Sequence, residues 1–225
     1  MKLYISFLAV VLLALVLAAV VPVSGAGAAS NDIRHLELNS TTFENNATLP
    51  LSMIANNPAL GTCTSNGTTG RNESPELSWT NVPPGTRSFT VTVYDVDAAF
   101  THWGMFNISA NTTELSQNAG RKGSPAGAQI WNDFAFGPEY DGPCPPTTIQ
   151  PKRHRYVVTV YALDTDLSVF FHGQVFPTHF PALPEGLYHS LLEAGRQGHI
   201  LDSASISGFY SAAVPPGPGE EGRPQ

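Results

Sequence analysis

Apolar residues in this chain fall mostly in short runs broken by polar ones, and the clearest run is 88–97. Side chains alternate sides along a strand, so Phe89, Val91, Val93, Asp95 and Asp97 share one face there, with Thr90 and Thr92 on the polar one. Residues 155–163 predict a second strong strand, with β-branched and aromatic residues on both faces, as in a buried central strand. Further strands are expected at 36–38, 77–79, 103–108 and 204–210, with a less defined segment at 51–54. Only 184–194 has helical spacing: Leu187, Leu191 and Leu192 are placed on one face and Gly195 can stop it. Long polar loops at 56–74 and 109–148 join these elements, and loops of that length usually carry function. Many strands with little helix argue a mainly β fold, an antiparallel sheet or sandwich rather than βαβ units.

The two ends read differently from the middle. Met1-Lys2 precedes an apolar run from Leu3 to Val21, then Pro22 and small residues, with an A-x-A cleavage site at Ala26-Gly27-Ala28. Residues 1–28 are therefore expected to be a secretory signal peptide, and the alternative is a retained membrane anchor. Cleavage would leave a mature chain of about 197 residues, one domain in size. The domain is placed at 29–213, and 214–225, rich in Pro, Gly and Glu, is expected to be a disordered tail. No later apolar run approaches spanning length. The expected location is extracellular, or periplasmic in a bacterium.

Composition narrows the partners. A formal charge of −7 excludes nucleic acid and anionic lipid surfaces as bulk partners, so any anion must be caught locally. Asn-x-Ser/Thr sequons stand at Asn39, Asn46, Asn66, Asn72, Asn107 and Asn111, where chance would give about two. Asn39, Asn46, Asn66, Asn72 and Asn111 are candidate glycosylation sites. Asn107 ends an apolar run and is set aside. Cys63 and Cys144 are the two cysteines, and in an oxidising compartment a disulfide is expected. Two free thiols or a shared metal are the alternatives, although no zinc-like spacing is visible. No cofactor is expected.

Candidate chemistry gathers at strand ends. The core face of 88–97 runs into Asp95 and Asp97; the plainer reading is that the chain leaves the core at Tyr94 and the acids cap a turn. His154 opens the second strong strand and His102 opens the 103–108 run. If the four converge, the carboxylates sit about 7 Å apart along the strand, and one would resist ionising. A protonated Asp and histidine N–H groups could then donate to an oxyanion, and binding would strengthen as pH falls through the histidine range.

Several segments occur together in a telling order. They are Ser74-Pro75-Glu76-Leu77-Ser78-Trp79, Asp95-Val96-Asp97-Ala98, His102-Trp103, Asn132-Asp133-Phe134, Gly142-Pro143-Cys144-Pro145-Pro146, His154-Arg155-Tyr156 and Gly198-His199-Ile200-Leu201. The chain from about Leu51 to Tyr210 resembles the phosphatidylethanolamine-binding family, closest to its prokaryote-type, Raf-kinase-inhibitor-like branch. The resemblance implies a large central antiparallel sheet, a smaller sheet packed on it and a few peripheral helices. It also implies a pocket for phosphate-containing small molecules or lipid head groups, held by Asp95, Asp97, His102 and His154 and lined by Gly142, Pro143, Pro145 and Tyr156. It places the loop around Cys63 near Cys144. The chain departs from the family pattern in having Val96 and Ala99 where Pro is usual. Only residues 98–101 separate Asp97 from His102, so one pocket wall is expected to be short.

The function expected is that of a secreted binding or regulatory protein with an anion pocket. A target protease suits an exported chain better than a kinase does. The first alternative is an acid–base hydrolase using the same carboxylates and histidines, against which stand the missing G-x-S-x-G and H-E-x-x-H motifs. The second is a structural surface glycoprotein without a ligand.

Overall fold

The computed structural model describes residues 34–56, 63–65, 68–146, 150–171 and 183–212. The expected signal peptide, the tail, and Asn66 lie outside the described residues. Strands are β1 (Glu37–Asn39), β2 (Ala47–Thr48), β3 (Thr64–Ser65), β4 (Thr68–Thr69), β5 (Leu77–Thr80), β6 (Ser88–Asp95), β7 (Phe100–Ser109), β8 (Glu114–Leu115), β9 (Ala128–Gln129), β10 (Arg153–Leu163) and β11 (Ile200–Ser211). A 3-10 helix, Leu167–Phe170, and one α-helix, α1 (Pro184–Arg196), complete the described elements.

Six strands form the central sheet in the order β2-β11-β10-β6-β7-β9, and three form a smaller sheet, β1-β5-β8. The central sheet is antiparallel except for its edge, where β2 runs parallel to β11. The fold is therefore the mainly β, two-sheet architecture expected from the sequence. β10 is central, as its two-faced apolar pattern predicts, paired from Tyr156 against Asp95 to Leu163 against Ser88 on one side and with β11 on the other.

One core unites Leu38, Leu77 and Trp79 of the small sheet with Phe89, Val91, Val93, Trp103, Tyr156 and Val158 of the large one. A second core packs Leu187, Leu191 and Ala194 of α1 onto Phe106, Ile130, Leu163 and Leu167. Because elements lie over both faces of the large sheet, Thr90 and Thr92 are buried like their apolar neighbours. That corrects the expectation of a polar face on β6.

Leu192 is 71% exposed and does not share the face of Leu187 and Leu191. Nor does Gly195 stop the helix. The stop is Gly198, at φ +80, whose N–H donates to Gly195 O while His199 N donates to Ala194 O at 2.8 Å. This pair of bonds is a Schellman motif, and its left-handed residue favours glycine. Residues 51–54, a segment without a firm assignment, form a turn.

Cys63 and Cys144 are joined in a disulfide across a separation of 81 residues. Such a closure stabilises the fold by about 4 kcal/mol in the chain-entropy account. It ties the 142–146 segment, which forms a wall of the site described next, to Cys63 at the start of the β3–β4 pair. Among the described residues no helix is long and apolar enough to cross a membrane.

Candidate functional site

At the ends of β6, β7 and β10 the central sheet opens into a cavity of about 340 Å3. Its wall is made by Asp95, Ala98, Phe100, His102, Phe134, Cys144, Pro145, Pro146, His154 and Tyr156. Register explains the convergence: Asp95 faces Phe100 across the β6–β7 hairpin and Tyr156 across β10, and His154 lies two residues before Tyr156 on the same face. The hairpin turn needs only residues 96–99, with Ala99 at φ 52, so this wall is short, as the departure from the family pattern implies.

The acid and the histidines are buried: Asp95 is 2% exposed, His102 3% and His154 5%. His154 Nδ1 lies 2.6 Å from Asp95 Oδ2, while the other Asp95 oxygen accepts from the backbone N–H groups of Asp97 and Ala98, both at 3.0 Å. Three donors thus converge on Asp95, which acts as an acceptor at both oxygens. It caps the turn and faces the cavity at once, so the two readings of the sequence meet in one residue. Nδ1 of His154 is taken, and its Nε2 is left for the cavity.

His102 is held differently. Its Nδ1 lies 2.6 Å from the carbonyl oxygen of Asp141, and Asp141 N donates back to His102 O. A carbonyl can only accept, so Nδ1 carries the proton. Burial pushes the His102 pKa down to about 4, against smaller raising effects from the Asp141 bond and from Asp95 and Asp133. The ring is neutral near pH 7, and its Nε2 is an acceptor. His102 therefore gains no charge over the range in which binding is expected to strengthen on acidification.

Asp141 is itself clamped. Asn72 Nδ2 donates to its Oδ1 at 3.0 Å and Asn132 Nδ2 to its Oδ2 at 2.7 Å, and Asn72 Oδ1 accepts from Gly142 N. Burial still raises the Asp141 pKa, with the two amides opposing the shift. Aromatic rings close the remaining wall: Phe100 on Phe134 at 4.5 Å, and His102 edge-on to Tyr156 at 5.2 Å. The buried Tyr156 hydroxyl approaches Asp95 without completing a well-formed bond. Its pKa is driven well up, first by burial and then by the Asp95 charge.

Of the residues expected at the pocket, the cavity wall therefore holds Asp95, His102, Pro145, His154 and Tyr156. Asp97 is not among them. β6 ends at Asp95, the strand alternation stops there, and the exposed Asp97 accepts instead from Arg155 N at 2.7 Å. Gly142 and Pro143 stand behind the wall: Gly142 packs against the Met53–Ile54 backbone, and Pro143 O accepts from Ala55 N. Sequence reasoning did not assign Ala98, Phe100, Phe134 or Pro146 to the wall, nor the clamp of Asn72, Asn132 and Asp141. Phe134 and Asn132 lay within the quoted motif 132–134, which was the available signal.

Known proteins resemble this chain in sequence and in fold. The family described as phosphatidylethanolamine-binding protein matches residues 39–211. This chain belongs to that family. The UPF0098 protein YbcL of Escherichia coli (strain K12) is 44% identical over 108 residues, which span 44% of this chain and 57% of YbcL. A UPF0098 protein of Methanothermobacter thermautotrophicus is 37% identical over 147 residues, 63% of this chain and 84% of its own. The crystal structure of YbcL, titled as a new member of the mammalian PEBP family, superposes with a TM-score of 0.59 at 28% identity. It covers 80% of this chain and all of its own.

Proposed function

We propose that this member of the family binds a small phosphate-type anion, free or as a head group, in the cavity between β6, β7 and β10. The observation that carries the reading is the buried Asp95–His154 pair at the cavity wall. A carboxylate on Nδ1 fixes the imidazole and strengthens the donor character of a protonated Nε2, which then faces the ligand. The Tyr156 hydroxyl is a second donor close by. The site reads as a binder rather than a hydrolase: Asp95 accepts at both oxygens and has no proton to give, and the His102 Nδ1–H is tied to Asp141.

The reading extends to action outside the cytoplasm. It is supported by the apolar N-terminal run with its A-x-A site and by a disulfide beside the pocket.

Calorimetric titration of inorganic phosphate into the mature protein at pH 6 tests the binding claim. His154→Ala should abolish measurable binding while circular dichroism stays that of the wild type. Equal affinity in the two proteins would remove the proposal.

A further inference from the structure

Arg153 and His154 are neighbours on β10 whose side chains serve opposite faces of the central sheet. His154 lies with Tyr156 at the anion cavity, whereas Arg153 stands over the Phe209 ring of β11, its guanidinium carbon 4.0 Å from the ring centre. Arg153 lines a separate cavity of about 420 Å3, together with Leu49, Pro50, Leu51, Phe209 and Ser211 among others. The path of the chain opens it. Pairing along this edge of β11 runs as far as Leu49, whose N–H donates to Phe209 O at 2.8 Å. Pro50 has no N–H to continue the ladder, and its carbonyl accepts from Met53 N in a turn. Ser211, two residues beyond Phe209, directs its N–H to the same side, where the pairing has stopped.

Charge sets this cavity apart. The chain carries a formal −7, yet Lys152, Arg153 and Arg155 fall together, and among the described residues none of them forms an ion pair. Nor is any described residue lining the cavity an Asp or Glu. A guanidinium stacked on an aromatic face is held in one plane, and its fork of N–H groups matches a planar carboxylate lying in that plane. Leu49, Leu51 and the Phe209 ring supply an apolar bed beside the cation. An inorganic anion would leave that bed unused. We infer that this cavity is a second binding site, which takes the free carboxyl terminus of a peptide whose last residue is apolar. Arg153 holds the carboxylate, the Ser211 N–H is a further donor to it, and the last side chain packs on Leu49 and Leu51. The site is distinct from the anion cavity and stands whether or not that cavity takes phosphate.

Three peptides separate what the site reads: acetyl-Ala-Ala-Leu with a free carboxyl terminus, the same peptide as its terminal amide, and acetyl-Ala-Ala-Glu amide, whose carboxylate is on a side chain. Titrated into 15N-labelled mature protein at pH 7.5, the first should give saturable shifts at Phe209, Ser211 and the Arg153 Nε–H. It should bind about tenfold or more tightly than either of the others, the difference that a charge-assisted pair supplies. Equal binding of the amide overturns the inference. Equal binding of the glutamyl peptide shows a site that reads charge alone and overturns it too. Shifts gathered at His154 and His102 instead would put the peptide in the anion cavity, and an absence of shifts with all three peptides would remove the site; either result overturns the inference without touching the phosphate reading.

Variants reach the cation itself. Arg153→Gln should weaken the carboxylate peptide about tenfold with an unchanged circular dichroism spectrum. Arg153→Lys keeps the charge and loses the planar fork, so it should restore only part of the affinity. Full affinity in Arg153→Gln, or full recovery in Arg153→Lys, overturns the inference. The wild-type comparison of acid and amide needs no variant, so it decides the matter even where a substitution disturbs the packing on Phe209.

Discussion

His154 Nδ1 and Asp95 Oδ2 stand 2.6 Å apart across β10 and β6, in a pair with side-chain exposures of 7% and 3%. The strands place them there: His154 precedes Tyr156 by two residues, and Tyr156 is the partner of Asp95 in the sheet. The acid serves the hairpin turn as well as the histidine, so the two members of the pair are not equivalent.

That asymmetry predicts unequal costs. Asp95→Ala removes the acceptor of two backbone N–H groups in the turn and of the buried His154. A loss of about 3–5 kcal/mol is expected. His154→Ala leaves Asp95 with its two backbone donors and should cost distinctly less. Urea denaturation of the two variants checks the order, and equal losses would contradict it.

A pH dependence follows from His102. Its pKa is lowered from 6.5 in the unfolded chain to about 4 in the fold, so between these values the unfolded state binds more protons. Stability contributed by the neutral ring is complete above pH 6.5 and is lost as pH falls toward 4, by up to about 3 kcal/mol. Asp141, raised by burial, acts in the opposite sense at the acid end. Comparing denaturation midpoints of wild type and His102→Asn from pH 7.5 to 4.5 isolates the histidine. The wild type should lose more on acidification, and parallel curves would contradict the account.

Much of the frame was legible in the sequence because apolar, β-branched and aromatic residues concentrate on β6, β7 and β10, which lie side by side in the central sheet. Alternation carried Asp95 onto the core face, and the same rule misplaced Asp97, because a strand end is set by turn hydrogen bonds rather than by hydrophobicity. The helix was found from Leu187 and Leu191, but its stop was assigned to Gly195, since spacing alone does not show which glycine takes a left-handed φ. Thr90 and Thr92 looked like a polar face because nothing local announces what packs over them. The Asn72–Asp141–Asn132 clamp joins residues up to 69 apart, and amide-to-carboxylate bonds leave no periodic trace.

Glycan mapping offers a test of export. Asn39, Asn46 and Asn111 are exposed, whereas the Asn72 amide nitrogen points at Asp141 and its oxygen at Gly142 N. Secreted from a eukaryotic host, the protein should carry glycans at the first three and none at Asn72. Full occupancy of Asn72 in folded protein would contradict the clamp. An unprocessed, unmodified chain would contradict the proposed export.

The central claim is that the cavity beside Asp95 and His154 is where an anion binds. Titrating inorganic phosphate into 15N-labelled mature protein while following the imidazole and backbone resonances tests it most directly. The account predicts saturable shifts at His154, His102 and Tyr156 together, with β1 and α1 unmoved. Shifts confined to other surfaces, or none at millimolar phosphate, would contradict it.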